Sequence, residues 1–191
     1  MDALVAAVIG FVLGAIPFGP IFARLRGVNL REVGSGNIGA TNAARALGRG
    51  WGALVLLCDA GKAAGPIALA RHFSVGEWAL ATGGFGAVLG HMFTPFLRGR
   101  GGKGVATGFG AFLVLAPAPA GIAAAVWAAL YAITRVSSVG SLVAITILPI
   151  VLVLFHAPRA DLALALALYP LIVWKHRDNI RRLLRREESK V

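Results

Sequence analysis

The chain alternates long apolar runs with short polar, glycine-rich ones. Ala3–Ala23, Trp78–Leu97, Gly104–Thr134, Val136–Pro158 and Leu162–Trp174 hold no Asp, Glu, Lys or Arg. Gly50–Ala70 is apolar except for Asp59 and Lys62. About 20 helical residues cross the hydrocarbon core of a bilayer, so these runs read as spanning helices. The first lacks a basic start and exceeds a typical signal-peptide core, which reads as a retained span. The run 104–134 would reach about 46 Å as one helix, too long for one upright span and short for two full ones. Pro117 and Pro119 near its middle disfavour a continuous helix.

Charge decides how that run is counted. Two short passes there give seven in all, with loops 24–51, 98–103, 135–141 and 175–191 on one side. Those loops hold 16 of the 19 Lys and Arg residues, whereas Arg71 and Arg159 fall on the other side. One pass would put the basic tail opposite the first two basic loops. The positive-inside rule therefore favours seven. The expected fold is an all-α integral membrane protein with seven transmembrane helices, the fourth and fifth short, the N-terminus outside and the C-terminus cytoplasmic. Leu162–Trp174 would reach only about 20 Å and needs snorkelling flanks or a thinned bilayer. Residues 1–191 read as one membrane-embedded domain, with motif loops 24–51, 98–107 and 135–141 and a C-terminal segment 175–191.

Composition agrees. The chain is 58% hydrophobic and 14% charged. That excludes disorder and argues against an ordinary soluble domain. Membrane topology and anionic lipid account for most of the net charge of +11, so a nucleic-acid partner is not implied. The lone cysteine, Cys58, excludes an intrachain disulfide.

The polar loops carry the chemistry. The first contains Gly34-Ser35-Gly36-Asn37-Ile38-Gly39-Ala40-Thr41-Asn42-Ala43-Ala44-Arg45. Its glycines permit tight turns that point N–H groups at an anion. Ser35, Asn37, Thr41 and Asn42 add neutral polar groups, and Arg45 adds a planar fork for phosphate. Gly34-x-Gly36-x-x-Gly39 also fits the dinucleotide fingerprint, but a membrane span precedes it rather than a strand. The second loop contains Gly101-Gly102-Lys103-Gly104-Val105-Ala106-Thr107. A lysine among glycines at the start of an apolar helix suits anion binding. Leu97 and Gly104 break the Walker A pattern, which removes an ATPase reading. The tail, Lys175–Leu184, reads as an amphipathic helix with Ile180, Leu183 and Leu184 on one face and His176 next to Asn179 on another. Asp59 and Lys62, three apart within a span, offset each other's burial and serve either function or structure. His91 ends the third span, and Arg135, Ser137, Ser138 and Ser141 flank the third loop. His156-x4-Asp161 matches a glycerolipid acyltransferase string but falls on the predicted outer face, away from every glycine-rich loop.

Taken together, these strings resemble the bacterial acyl-phosphate glycerol-3-phosphate acyltransferases, the PlsY family, over nearly the whole chain. The family's Ser-Gly-Asn-x-Gly-x-Thr-Asn-x-x-Arg is met at Ser35–Arg45, and its Gly-Gly-Lys-Gly-x-x-Thr at Gly101–Thr107. Its His-x-x-Asn-Ile-x-Arg-Leu is met at His176–Leu183 and includes Arg182. Its Asp-x-x-Lys is met at Asp59 and Lys62, and its Gly-His pair at His91. Ala63 replaces a glycine, Gly99 a bulkier residue, and Arg186-Glu187-Glu188 stands where the family has Gly-x-Glu, which aligns the glutamate with Glu188.

The resemblance implies acyl transfer from acyl phosphate to the 1-hydroxyl of glycerol 3-phosphate, giving lysophosphatidic acid and phosphate at a bacterial inner membrane. It implies Ser35, Arg45, Lys103 and His176 as catalytic residues. It also implies substrate contacts from Gly36, Asn37, Gly39, Thr41, Asn42, Gly101, Gly102, Gly104, Thr107, Ser141 and Asn179. Asp59, Lys62, His91, Arg135, Ser138, Arg182 and Glu188 are expected in support. No cofactor or metal is expected, and a functional link to the acyl-phosphate-producing enzyme is. Which basic residue meets which phosphate stays open. The hydroxyl proton goes to a substrate phosphate or to His176. The rival class is a transporter of a small phosphorylated anion.

Overall fold

The computed structural model describes residues 2–190, and every element among them is helical. Ten α-helices run in chain order: α1 (Ala3–Gly14), α2 (Phe18–Leu25), α3 (Ala40–Leu47), α4 (Arg49–His72), α5 (Glu77–Met92), α6 (Val105–Leu115), α7 (Pro117–Thr134), α8 (Ser137–Leu154), α9 (Arg159–Lys175) and α10 (Arg177–Leu184). Among the described residues five segments are long and apolar enough to cross a membrane: Ala3–Leu25, Arg49–His72, Glu77–Leu97, Pro117–Thr134 and Ser137–Leu154. A shorter apolar helix, α6, and the 17-residue α9, with charged residues at its ends, complete the bundle.

The run 104–134 breaks at Ala116, whose φ of −139° and ψ of 75° leave the helix. Pro117 then occupies the first helical position, where its missing N–H costs nothing. The break falls early, so α6 has 11 residues and α7 a full 18. Of the fourth and fifth apolar helices only the fourth is short; the expectation of a short fifth is corrected. The last apolar helix is also longer than its uncharged stretch, 17 residues, because Arg159, Asp161 and Lys175 form its ends.

Glycine sets the tightest packing. A Cβ at Gly10 or Gly14 would overlap backbone of Gly83 or Ala87 on α5, and one at Gly86 or Gly90 would overlap Ala7 or Phe11 on α1. Both helices therefore carry a Gly-x3-Gly face, and the two backbones touch. The same device at Gly110 brings α6 onto Ala60 of α4. The central core joins Val88, Met92, Ala111, Phe112, Leu152, Leu164, Leu168 and Ile172. Large apolar side chains also point outward, Leu4, Leu57, Ile133 and Leu154 among them. That arrangement suits a lipid surround rather than water.

The fold brings one end of the bundle to the site. The loop after α2, the loop before α6, the start of α8 and the junction of α9 with α10 converge there. His156 and Asp161 sit beyond the opposite end of α8. The length of that helix separates them from the site.

Candidate active site

A cavity of about 450 Å³ opens among these loops and runs into the bundle. Its mouth is polar, with Ser35, Asn37, Thr41, Arg45, Lys103, Ser138, Ser141, His176, Asn179 and Glu188. Its inner wall is apolar, with Leu56, Phe109, Phe112, Trp127, Leu148, Leu168 and Tyr169.

The first loop is organised by Asn42. Its amide nitrogen donates to the carbonyls of Leu30 (3.0 Å), Val33 (3.0 Å) and Asn37 (2.8 Å), and its oxygen accepts from Ser35 N–H (2.9 Å). Asn42 thus shapes the loop and has no free donor for a ligand. Gly34 and Gly36, with φ of 58° and 67°, make the turns that Asn42 ties together. The Gly36 N–H goes to Val33 O, and Gly36 is not on the cavity wall. Asn37 Oδ1 accepts from Gly39 N–H at 2.9 Å, and Thr41 Oγ1 lies 3.1 Å from Ser137 Oγ. No side chain caps α3, so the N–H groups of Ala40 and Thr41, which line the cavity, have no partner among the described residues.

The second loop differs from the expectation. Gly101 and Gly102 do not offer their N–H groups to a ligand: they donate to Met92 O and His91 O, both at 3.0 Å. A Cβ at either position would overlap His91. Their role is close backbone approach. Gly104, at φ 84°, turns the chain into α6, whose first turn is again uncapped. Two helix N-termini and two cationic side chains, Arg45 and Lys103, thereby converge on one cavity. Thr107 turns away into the packing, fully buried, its hydroxyl without a partner among the described residues.

Burial pulls Lys103 down to about 8, against the opposing pull of Glu188. Arg45 is lowered by burial and partly restored by Glu188. Its Nη2 donates to Ser189 O at 2.8 Å, while its buried Nε has no partner among the described residues.

The tail crosses the mouth. Glu188 accepts from Arg182 Nε (2.6 Å), Asn179 Nδ2 (2.5 Å) and Ser138 Oγ (2.9 Å). Burial pushes its carboxyl up, but these donors outweigh burial and hold it below the usual carboxylate value. Of the two adjacent glutamates, Glu188 is the one that enters the site. Arg182 stays off the cavity wall and holds Glu188. His176 is 2% exposed, and its Nδ1 lies 2.8 Å from Ile172 O. The carbonyl only accepts, so Nδ1 carries the proton and Nε2 is left as an acceptor. Burial, then the neighbouring Lys103, bring His176 down to about 4, which keeps it neutral near pH 7.

Ser141 lines the cavity but donates to Ser137 O on its own helix, 2.9 Å away. Arg135 is exposed at φ 59° and stays off the wall, so the expected support from it is not seen. The apolar wall was missing from the expected site altogether. Its signal was present in α7, where Ala120, Ala123, Ala124, Trp127 and Ala128 recur at helical spacing.

The glycerol-3-phosphate acyltransferase family model matches residues 4–186. A glycerol-3-phosphate acyltransferase of Anaeromyxobacter sp. (strain K) is 48% identical over 98% of this chain and 96% of its own. The Aquifex aeolicus glycerol-3-phosphate acyltransferase is 39% identical over the full length of both. Among solved structures, the glycerol 3-phosphate form of PlsY (YgiH), an integral membrane glycerol 3-phosphate acyltransferase, superposes with a TM-score of 0.94 at 38% identity, covering 99% of this chain and 95% of that one. Its lysophosphatidic acid form gives 0.91 at 37% identity, over 98% and 94%. The fold and cavity define a multi-pass integral membrane enzyme of acyl transfer. The chain belongs to the glycerol-3-phosphate acyltransferase (PlsY) family.

Proposed function

We propose that this enzyme transfers a fatty acyl group from acyl phosphate to the 1-hydroxyl of glycerol 3-phosphate, releasing lysophosphatidic acid and inorganic phosphate. The observation that carries this is one cavity with two characters. Its mouth joins Arg45, Lys103 and two uncapped helix N-termini, and its inner wall is apolar. Phosphate suits the first part and an acyl chain the second. The relative solved in a glycerol 3-phosphate form and a lysophosphatidic acid form supports the same pairing.

The hydroxyl oxygen attacks the acyl carbonyl carbon, and the carbon–oxygen bond to phosphate then breaks. Phosphate leaves with the bonding pair. The charge that develops is stabilised by Lys103, Arg45 and the first turns of α3 and α6. Ser35, Asn37, Gly39 and Thr41 complete the phosphate end, with Gly104 opening α6. His176 and Asn179 hold the glycerol. Acyl phosphate is already activated, so positioning supplies much of the rate. The proton passes to a substrate phosphate; His176 Nε2 is the other acceptor in the cavity.

The protein reads as one catalytic unit over residues 1–191 in a bacterial plasma membrane. It has seven spans, an outer N-terminus and active loops in the cytoplasm. The apolar helices α6 and α9 supply the two spans below full length, and the 16 basic residues on one side supply the orientation. A functional link to the enzyme that makes acyl phosphate follows from the donor.

The test is purified protein in detergent with acyl phosphate and labelled glycerol 3-phosphate. Lysophosphatidic acid should form without a sealed membrane, which a transporter would not do. Activity with acyl-CoA in place of acyl phosphate would overturn the donor.

A further inference from the structure

Asp59 and Lys62 on α4 and His91 on α5 are buried together. An ammonium has three N–H donors and no acceptor. Lys62 Nζ meets three acceptors: Asp59 Oδ1 at 2.9 Å, His91 Nδ1 at 2.7 Å and Ile16 O at 3.1 Å. Every donor is occupied within the protein, so Lys62 offers a substrate nothing. It does fix the imidazole. Nδ1 accepts from Lys62, so the ring proton sits on Nε2, and Asp59 Oδ1 lies 3.6 Å from the same Nδ1.

The fixed ring has a neighbour. The atoms that a Cβ at Gly102 would meet first are Nε2, Cε1 and Cδ2 of His91. The Gly102 N–H donates to the His91 carbonyl, and the Gly101 N–H to the Met92 carbonyl, both at 3.0 Å. Lys175 Nζ donates to that same Met92 carbonyl at 2.7 Å. The two residues ahead of Lys103 are thus held against the end of α5, with the His91 ring as backing.

We infer that Asp59, Lys62 and His91 are positioning residues, a buried lock that sets the backbone carrying Lys103. The inference rests on reading Lys103 as a phosphate-binding residue in acyl transfer. Asp59 and His91 also border the cavity, while Lys62 does not; the effect of all three on the reaction runs through Gly101 and Gly102.

The test combines hydrogen exchange with the pH profile of kcat/KM. His91→Asn keeps an acceptor for Lys62 and removes the ring behind Gly102. The double variant Asp59→Asn with Lys62→Met removes both charges at once, which avoids leaving one buried alone. In either variant the Gly101 and Gly102 amides should lose about tenfold in protection while α7 and α8 keep theirs. Turnover should fall on the order of 10²-fold, as expected when a catalytic group is displaced by about 1 Å. Lys103 would also gain solvent, so the alkaline limb should move from about 8 toward the ordinary lysine value. A purely structural role would lower the unfolding midpoint without moving that limb. Wild-type protection at Gly101 and Gly102, with an unmoved limb, in the variant that folds would overturn the lock. If wild-type enzyme forms no product from acyl phosphate, the functional reading fails while the exchange result still decides the lock.

Discussion

Glu188 accepts a hydrogen bond from Ser138 at 2.9 Å across 50 residues of sequence. That bond ties the end of the chain to the start of α8. With Asn179 and Arg182 on the same carboxylate, and Arg45 on the next carbonyl, the tail becomes a strap across the cavity mouth. Glu188→Ala leaves those donors without an acceptor. Hydrogen bonds to a charged group are worth about 1.5–3 kcal/mol each. The unfolding midpoint in detergent should therefore drop by several degrees, with kcat/KM down at least tenfold. Ser138→Ala removes one donor only and should cost less on both measures.

Arg45 carries a finer prediction. Its Nε is buried without a partner among the described residues, which leaves a directed donor in the cavity wall. Arg45→Ala should abolish measurable turnover. Arg45→Lys keeps the charge and loses the planar fork, so it should recover little, staying about 10²-fold below wild type. Full recovery by lysine would mean that charge alone suffices there.

Much of this was legible in the chain. Runs without charge gave the apolar helices, and Pro117 and Pro119 marked the run 104–134 as broken, although the break falls before both, at Ala116, and leaves α7 at full length. Residues from all three motif loops do meet at one cavity. The rest depended on contacts that spacing cannot show. Gly101 and Gly102 look like anion-binding glycines until their N–H groups are found on Met92 and His91. Asn42 looks like a ligand contact until its donors are found on three carbonyls of its own loop. In the tail helix the face turned inward is polar, with Asn179 buried and Leu184 82% exposed, because Glu188 folds back onto Asn179. The Gly-x3-Gly faces of α1 and α5 were in plain view, but pairing them requires knowing which helices touch.

Lys103 sets the alkaline side of the pH profile. Burial lowers it to about 8, so the neutral amine forms as pH rises through that value. The ammonium is the form that holds phosphate. The kcat/KM profile, which reports free enzyme, should therefore decline above about pH 8. Bound phosphate favours the ammonium, so the limb in kcat should lie higher. Lys103→Arg stays charged throughout and should erase the limb, whatever its effect on the plateau. A limb that persists in Lys103→Arg would assign it to another group.

His156→Ala should be nearly silent. The His-x4-Asp string lies beyond the end of α8 opposite Ser138 and the cavity mouth. Activity within twofold of wild type in the detergent assay is the expected result. A folded but inactive His156→Ala protein would place chemistry at the other end of the bundle.

The apolar wall predicts how chain length is read. Ala120, Ala124 and Ala128 follow one face of α7 along the cavity, from the deep end near Pro117 toward the mouth near Ser137. Successive positions lie about 6 Å apart along the helix axis. Leucine at each would block the bore at a different depth. Each buried methylene is worth about 0.8 kcal/mol, so denying space to two or three changes selectivity by roughly 15- to 60-fold. Competition between long- and short-chain acyl phosphates should show a graded series. Ala120→Leu should trim only the longest donors, Ala124→Leu should shift the optimum shorter, and Ala128→Leu should shift it furthest. The glycerol 3-phosphate KM should hold nearly constant through the series, because the cationic mouth is untouched. A preference that ignores the position of the leucine would mean that the chain leaves the cavity for lipid before it reaches α7.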